Sequence, residues 1–260
     1  MPKLTTCVLV EQKKLFKSNM PVMTLLALTL VPFMGGFFMF ILKDPSLAHQ
    51  LGFLSAKAQI AGTADWPSYF SLLAQAIAIG GLMVFGFVMS WIFGREYSDG
   101  TIKDLLALPL PRQRIVSAKF IVAALWCMFL CLYVLALSMI VGLFVQLPGL
   151  SPGTIKQGVF LFLLSSLLTV LLSAPVAFIA SASGGYLAPL GFVILTLILA
   201  QVVAAIGYGE FFPWSIPALA AGLAGGEQAI LKVTSYLIVL ITWALGLLST
   251  ILWWRYADHC

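Results

Sequence analysis

Residues 157–209, QGVFLFLLSSLLTVLLSAPVAFIASASGGYLAPLGFVILTLILAQVVAAIGYG, run for 53 positions without one charged side chain. A charge left in hydrocarbon costs at least about 2.5–3.5 kcal/mol, so a run of this kind marks membrane depth. As one helix it would be roughly 80 Å long, against a hydrocarbon core of about 30 Å. It must therefore cross twice. The small, turn-forming residues Ser181, Ala182, Ser183, Gly184 and Gly185 predict the break, giving helices near 157–180 and 186–207.

Shorter charge-free stretches lie at 18–42, 66–94, 120–155 and 233–254. Three give crossings at 20–42, 68–93 and 233–254, each close to the roughly 20 residues a span needs. The stretch from Phe120 ends in Pro148, Gly149, Pro152 and Gly153, which predicts one helix of about 120–146 and a short loop. The expectation is an all-α integral membrane protein of six transmembrane helices, organised as a single domain over residues 1–260. Charged residues make up only 9% of the chain and mean hydropathy is +1.07, too little polar surface for a globule in water.

Lys and Arg set the orientation. Lys3, Lys13, Lys14, Lys17, Arg95, Lys103, Arg112, Arg114, Lys119 and Arg255 fall on one side, and Lys43, Lys57, Lys156 and Lys232 on the other. Ten against four predicts both termini in the cytoplasm. The net charge of +5 follows from this asymmetry, with no basic soluble surface for nucleic acid. The apolar run from Met20 exceeds a signal-peptide core and lacks an A-x-A-like site, so the first helix is expected to stay. Cys127 and Cys131, at i,i+4, are expected to pack rather than bind metal, and no structural disulfide is expected.

Three segments are not plain spans. Residues 1–19 mix Leu4, Val8, Leu15 and Phe16 with Glu11, Lys13, Lys14 and Lys17, the pattern of an amphipathic helix in the cytoplasmic interface. Residues 208–232 contain an apolar stretch too short to cross, FFPWSIPALAAGLAGG, bracketed by Glu210 and Glu227. Pro213 and Pro217 lack amide donors, which predicts broken, re-entrant half-helices on the outer face.

The third segment, residues 94–119, is the cytoplasmic loop containing REYSDGTIKDLLALPLPRQRIVSAKF, Arg95 to Phe120. Thr101 and Asp104 form a capping box, so a helix is expected from Ile102, with Ile102, Leu105 and Leu106 on one face. Pro109 and Pro111 end it within two turns, and Pro111 is expected as the first residue of the next helix. So short a helix needs an outside support, lipid or protein.

In this loop the order Glu96, Gly100-Thr101, Leu105-Leu106, Pro109, Arg112 and Lys119 resembles the pattern E-x3-G-T-x3-L-L-x2-P-x2-R-x6-K of type-2 ABC exporter permeases. The short bacterial members involved in bacitracin and lantibiotic self-protection are the most similar. Pro111 departs from the small polar residue often found before the Arg. The resemblance implies a permease subunit whose loop helix (Glu96, Gly100, Thr101, Ile102, Leu105, Leu106, Pro109, Arg112) docks on a separate cytoplasmic ABC ATPase. It also implies a second permease copy or paralogue, in a bacterial plasma membrane. No G-x-x-x-x-G-K-[ST] occurs in the chain, so ATP and Mg would be held by the partner, with no cofactor here.

An ion-coupled carrier or channel is the rival reading, with Glu210 and Glu227 as its candidate proton sites. Catalysis within the chain lacks a motif: there is neither H-E-x-x-H nor G-x-S-x-G. For an exporter, Ser165, Thr169 and Ser173 at i,i+4,i+8, with Gln75 and Gln201, are the candidate translocation path. Interhelical packing is an equal reading of the hydroxyls. So weakly polar a lining suits an amphipathic cargo, such as a peptide antibiotic or a lipid-like molecule.

Overall fold

The computed structural model describes residues 4–43, 63–102, 105, 111–222 and 231–256, and every regular element among them is helical. In chain order these are α1 (Leu4–Phe16), α2 (Met20–Lys43), α3 (Trp66–Ser98), α4 (Arg112–Phe144), α5 (Pro152–Leu172), α6 (Ala174–Ser183), α7 (Leu187–Ala205), α8 (Ile216–Ala220) and α9 (Val233–Tyr256). With α5 and α6 taken as one broken rod, six are long and apolar enough to cross a bilayer. The chain is a multi-pass membrane protein.

Two spans run past their expected ends. α4 begins at Arg112 rather than near Phe120, and its 33 residues extend about 50 Å against the roughly 30 Å of hydrocarbon. Pro111 is the residue before the helix, not its first residue; its extended ψ of 122° leaves Arg112 to open the helix. Buried Ile115, Val116 and Ala118 carry helical packing straight through the charged turns. α3 likewise continues through Arg95 and Glu96 to Ser98. The surplus of both helices projects from the same end as α1, which we call the terminal face.

The long charge-free run breaks where expected. Gly184 has φ +65°, a left-handed conformation that glycine adopts without penalty, and it ends α6. A second break was not legible: α5 gives way to α6 at Ser173, because Pro175 has no amide donor and its ring excludes the carbonyl four residues back. A π-helical turn at Ile77–Gly81 interrupts α3.

At the opposite face, Asp65 caps α3 by accepting the Ser68 amide at 3.0 Å. Two 3-10 turns, Gly209–Phe211 and Pro213–Ser215, lead into α8, whose residues are all buried. Ser71 Oγ and Gln75 Nε2 of α3 donate to the Ala221 carbonyl at 2.9 and 3.3 Å. The chain turns before Pro213, Pro217 sits inside the first turn of α8, and the segment is packed on protein; the rest of the expected re-entrant element, with Glu227, lies outside the described residues. Cys127 and Cys131 are free thiols buried in the core.

Candidate coupling site at the terminal face

Helical spacing turns Glu11, Lys14 and Leu15 of α1 toward the bundle, and Glu11 and Leu15 are buried there. Opposite them stand Glu96, near the end of α3, and Lys119, in the third turn of α4. Lys119 is fully buried and uses all three of its donors: Glu96 Oε1 at 2.7 Å, Glu11 Oε2 at 3.1 Å and the Ile92 carbonyl at 2.9 Å. Lys14 Nζ closes the ring, 2.9 Å from Glu11 Oε1 and 3.1 Å from Glu96 Oε1.

Two ammonium groups thus face two carboxylates, and the cluster is neutral. Burial works against the Lys14 ammonium, but the Glu11 and Glu96 carboxylates outweigh it and hold its pKa above the ordinary lysine value. Among the described residues Glu96 Oε2 has no hydrogen-bond partner. The clamp joins α1, α3 and α4 just beneath the loop, and Arg95 adds a bond from Nη1 to the Lys14 carbonyl at 3.4 Å.

A second tie holds the other end of the loop. Arg112 Nη1 donates to the Trp254 carbonyl of α9 at 3.2 Å, and Trp254 Nε1 donates to Ser181 Oγ of α6 at 2.9 Å. The Tyr97 ring meets Trp254 edge-on, centroids 6.1 Å apart. A Cβ at Gly94 would come within 2.9 Å of the Gly185 carbonyl oxygen, so the turn between α6 and α7 is seated directly on α3. Glu96 and Arg112 therefore anchor the two ends of the loop through separate partners, not through each other.

Between these anchors the chain turns sharply. Gly100, at φ +69°, follows Asp99 in the left-handed position that closes α3, and no atom lies within 4 Å of its Cβ position. The Leu105 amide donates to the Thr101 carbonyl at 3.1 Å, and residues 103–104 lie outside the described residues. Ile102, expected on a face toward a partner, is instead 7% exposed and packed in the chain's own core, with Leu105 partly buried beside it. An isolated turn has no other apolar surface to rest on. Among the described residues, the exposed surface of this turn is Ser98, Asp99, Gly100 and Thr101. Leu106 and Pro109 lie outside the described residues.

The candidate path residues share no side-chain hydrogen bond with one another among the described residues. Ser165, Thr169 and Ser173 are fully buried, with Thr169 donating to the Ser165 carbonyl at 2.7 Å and Ser173 to the Val170 carbonyl at 2.6 Å. Gln75 is occupied at Ala221, whereas Gln201 is exposed on α7. Two of the three hydroxyls are thus bonded to their own helix, and the Ser165 hydroxyl has no hydrogen-bond partner among the described residues. Sequence reasoning missed Glu11, Lys14 and Lys119 as one site; the available signal was that Glu11 is the only acidic residue in the first 43 positions and has three lysines within six residues of it.

The profile of the ABC-2 family transporter proteins matches residues 7–202, from α1 into α7, and so includes both anchors of the loop. The bacitracin transport permease protein of Bacillus licheniformis is 29% identical over 179 residues, covering 68% of this chain and 85% of that protein. With about three quarters of its length inside the family profile, the chain belongs to the ABC-2 family of transporter proteins, as a permease subunit of type-2 ABC transporters.

Proposed function

We propose that this permease subunit couples ATP hydrolysis by a separate cytoplasmic ABC ATPase to export of an amphipathic molecule, a peptide antibiotic being the best candidate. The observation that carries the coupling is the loop between α3 and α4. It is pinned at one end by the Glu11–Lys14–Glu96–Lys119 clamp and at the other by Arg112, so a push on its exposed tip is transmitted to α1, α3, α4 and α9 together. The likeness to a bacitracin transport permease supports the cargo class. The unit would contain a second permease chain and two ATPases, in the plasma membrane, with the terminal face in the cytoplasm.

Burial of Ile102 moves the expected contact to the outer side of the turn. Asp99→Arg with Thr101→Trp alters only exposed side chains and should cost the isolated permease no more than about 1–2 kcal/mol, the worth of a surface ion pair and a helix cap. Purified from its native membrane, the wild-type chain should bring a stoichiometric ATPase, and the double variant should arrive folded without it and fail in ATP-dependent transport. A variant that keeps both its ATPase and its transport would refute the coupling role.

Orientation has its own test. Ser151 caps α5 by accepting the Thr154 amide at 3.1 Å, so its exposed neighbour Leu150 is the better probe position. With Cys7 and Cys260 replaced by serine, an impermeant thiol reagent added to whole cells should label Leu150→Cys and spare Ser98→Cys. The reverse pattern would invert the topology.

A further inference from the structure

α3 crosses the bundle in two pieces. The π-turn at Ile77–Gly81 separates them, at a Gly80-Gly81 pair and with no proline to force it. The two pieces have different partners. Residues 66–76 pack on α5, where the Phe70 ring fills the place a Cβ at Gly158 would occupy, and Ser71 and Gln75 hold the Ala221 carbonyl. Residues 82–98 pack chiefly on α6 and α7: a Cβ at Gly86 would come within 2.6 Å of Val193, and one at Gly94 within 2.9 Å of the Gly185 oxygen.

The break between α5 and α6 falls beside that turn. Counting from the Phe70–Gly158 contact along the two helices, Ile77 and Ser165 stand level, about 10 Å on, and Gly81 precedes the Ser173 break by about 6 Å. Ser165 is fully buried there, and its hydroxyl makes no polar bond among the described residues that would hold the two helices fixed at this plane. The turn also has a free side. Ala78 and Ile79 line a crevice against Leu197 and Ala200 of α7 and Trp214, and nothing lies within 4 Å of the Cβ position of Gly80. Close-packed interiors resist displacement, and this crevice supplies the room for it.

We infer that the π-turn and the Ser173–Pro175 break are one hinge laid across two neighbouring spans. Residues 66–76, α5 and α8 tilt about it as a unit; residues 82–98, α6, the start of α7 and the adjoining half of α9 form the other unit, on the terminal side. α9 belongs to the terminal unit because Gly246 is seated on Pro175. α2 follows the tilt, since the Tyr69 hydroxyl donates to the Pro32 carbonyl at 3.2 Å, beside a proline where the ladder of α2 itself lacks a donor. The inference rests on packing within one chain and stands whether or not the coupling reading holds.

The test is made on the full-length permease in lipid nanodiscs, with Cys7 and Cys260 replaced by serine and Cys127 and Cys131 left buried in place. Spin labels at pairs of exposed positions give distance distributions by double electron–electron resonance. Phe160→Cys with Leu187→Cys reports across the hinge, and Leu187→Cys with Leu252→Cys reports within the terminal unit. With the hinge unaltered, the first distribution should be about twice as broad as the second, as expected for two populated arrangements. Gly80→Ala enters open space and removes the freedom of glycine, and Pro175→Ala restores the missing amide donor. Together they should narrow the first distribution to the width of the second, and each alone should narrow it in part, which keeps the result readable if the pair does not fold. Equal breadth of the two distributions in the unaltered hinge, or a first distribution that neither substitution narrows, would overturn the hinge. Equal narrowing of both distributions would mean a general stiffening of the bundle and would overturn it as well.

Discussion

Lys119→Ala is expected to destabilise the folded permease by about 3–5 kcal/mol, the penalty for breaking a buried ion cluster from one side. The ammonium removed is fully buried and is the group that holds Glu11 and Glu96 together. Lys14 alone would then face two carboxylates, and the Ile92 carbonyl would lose its Lys119 donor. The apparent Tm in detergent should fall sharply, with aggregated protein at the expense of the monodisperse peak. A buried cluster of this kind is weak evidence of net stabilisation, so removing charge in balance should repair much of the loss. Lys119→Met with Glu96→Gln leaves the Glu11–Lys14 pair intact and restores neutrality, and should melt well above Lys119→Ala. If the proposed coupling is right, the same double variant transports poorly despite its recovered fold, because α1 and α3 are no longer tied through α4. A Lys119→Ala protein that melts with wild type would show that the clamp is solvated and carries no such load.

The spans could be read from the sequence because hydrocarbon excludes charge, and that rule acts residue by residue along the chain. Their ends could not, for the complementary reason. Arg112, Arg114 and Lys119 look like the close of a loop, yet all three lie within α4, where Lys119 is compensated by carboxylates that come from two other elements. Glu96 was legible as an anchor of the loop, but its partners were not, since α1 is 82 positions away from it in sequence at Lys14. Ile102 fell on an apolar face, as its spacing said; nothing in one chain's periodicity distinguishes a face turned to its own core from one turned to a partner. The Ser165, Thr169 and Ser173 stripe shows the same ambiguity: Thr169 and Ser173 bond the backbone of their own helix, whereas the buried Ser165 hydroxyl has no hydrogen-bond partner among the described residues.

The site also depends on one close approach deep in the bundle, and Gly246→Leu should destroy it. A Cβ at this position of α9 would stand 2.6 Å from the Pro175 nitrogen, 2.8 Å from its Cα and 2.9 Å from the Ala174 carbonyl carbon. Those are backbone atoms at the α5–α6 break, where Pro175 fixes the local path, so no rotamer change makes room. Overpacking a core typically costs about 1–3 kcal/mol per site even when side chains can yield. Here helices α6 and α9 must separate, and with them go the Trp254–Ser181 bond and the Arg112 contact to the Trp254 carbonyl that holds the start of α4. Gly246→Ala should lower the apparent Tm measurably, and Gly246→Leu should leave little folded protein to purify. Gly191→Leu, on the exposed side of α7 with no atom within 4 Å of its Cβ position, adds the same side chain to a span and should melt within a few degrees of wild type. Equal behaviour of the two leucine variants would mean that α6 and α9 do not meet at Gly246, and the route from Arg112 through Trp254 into α6 would have no structural basis.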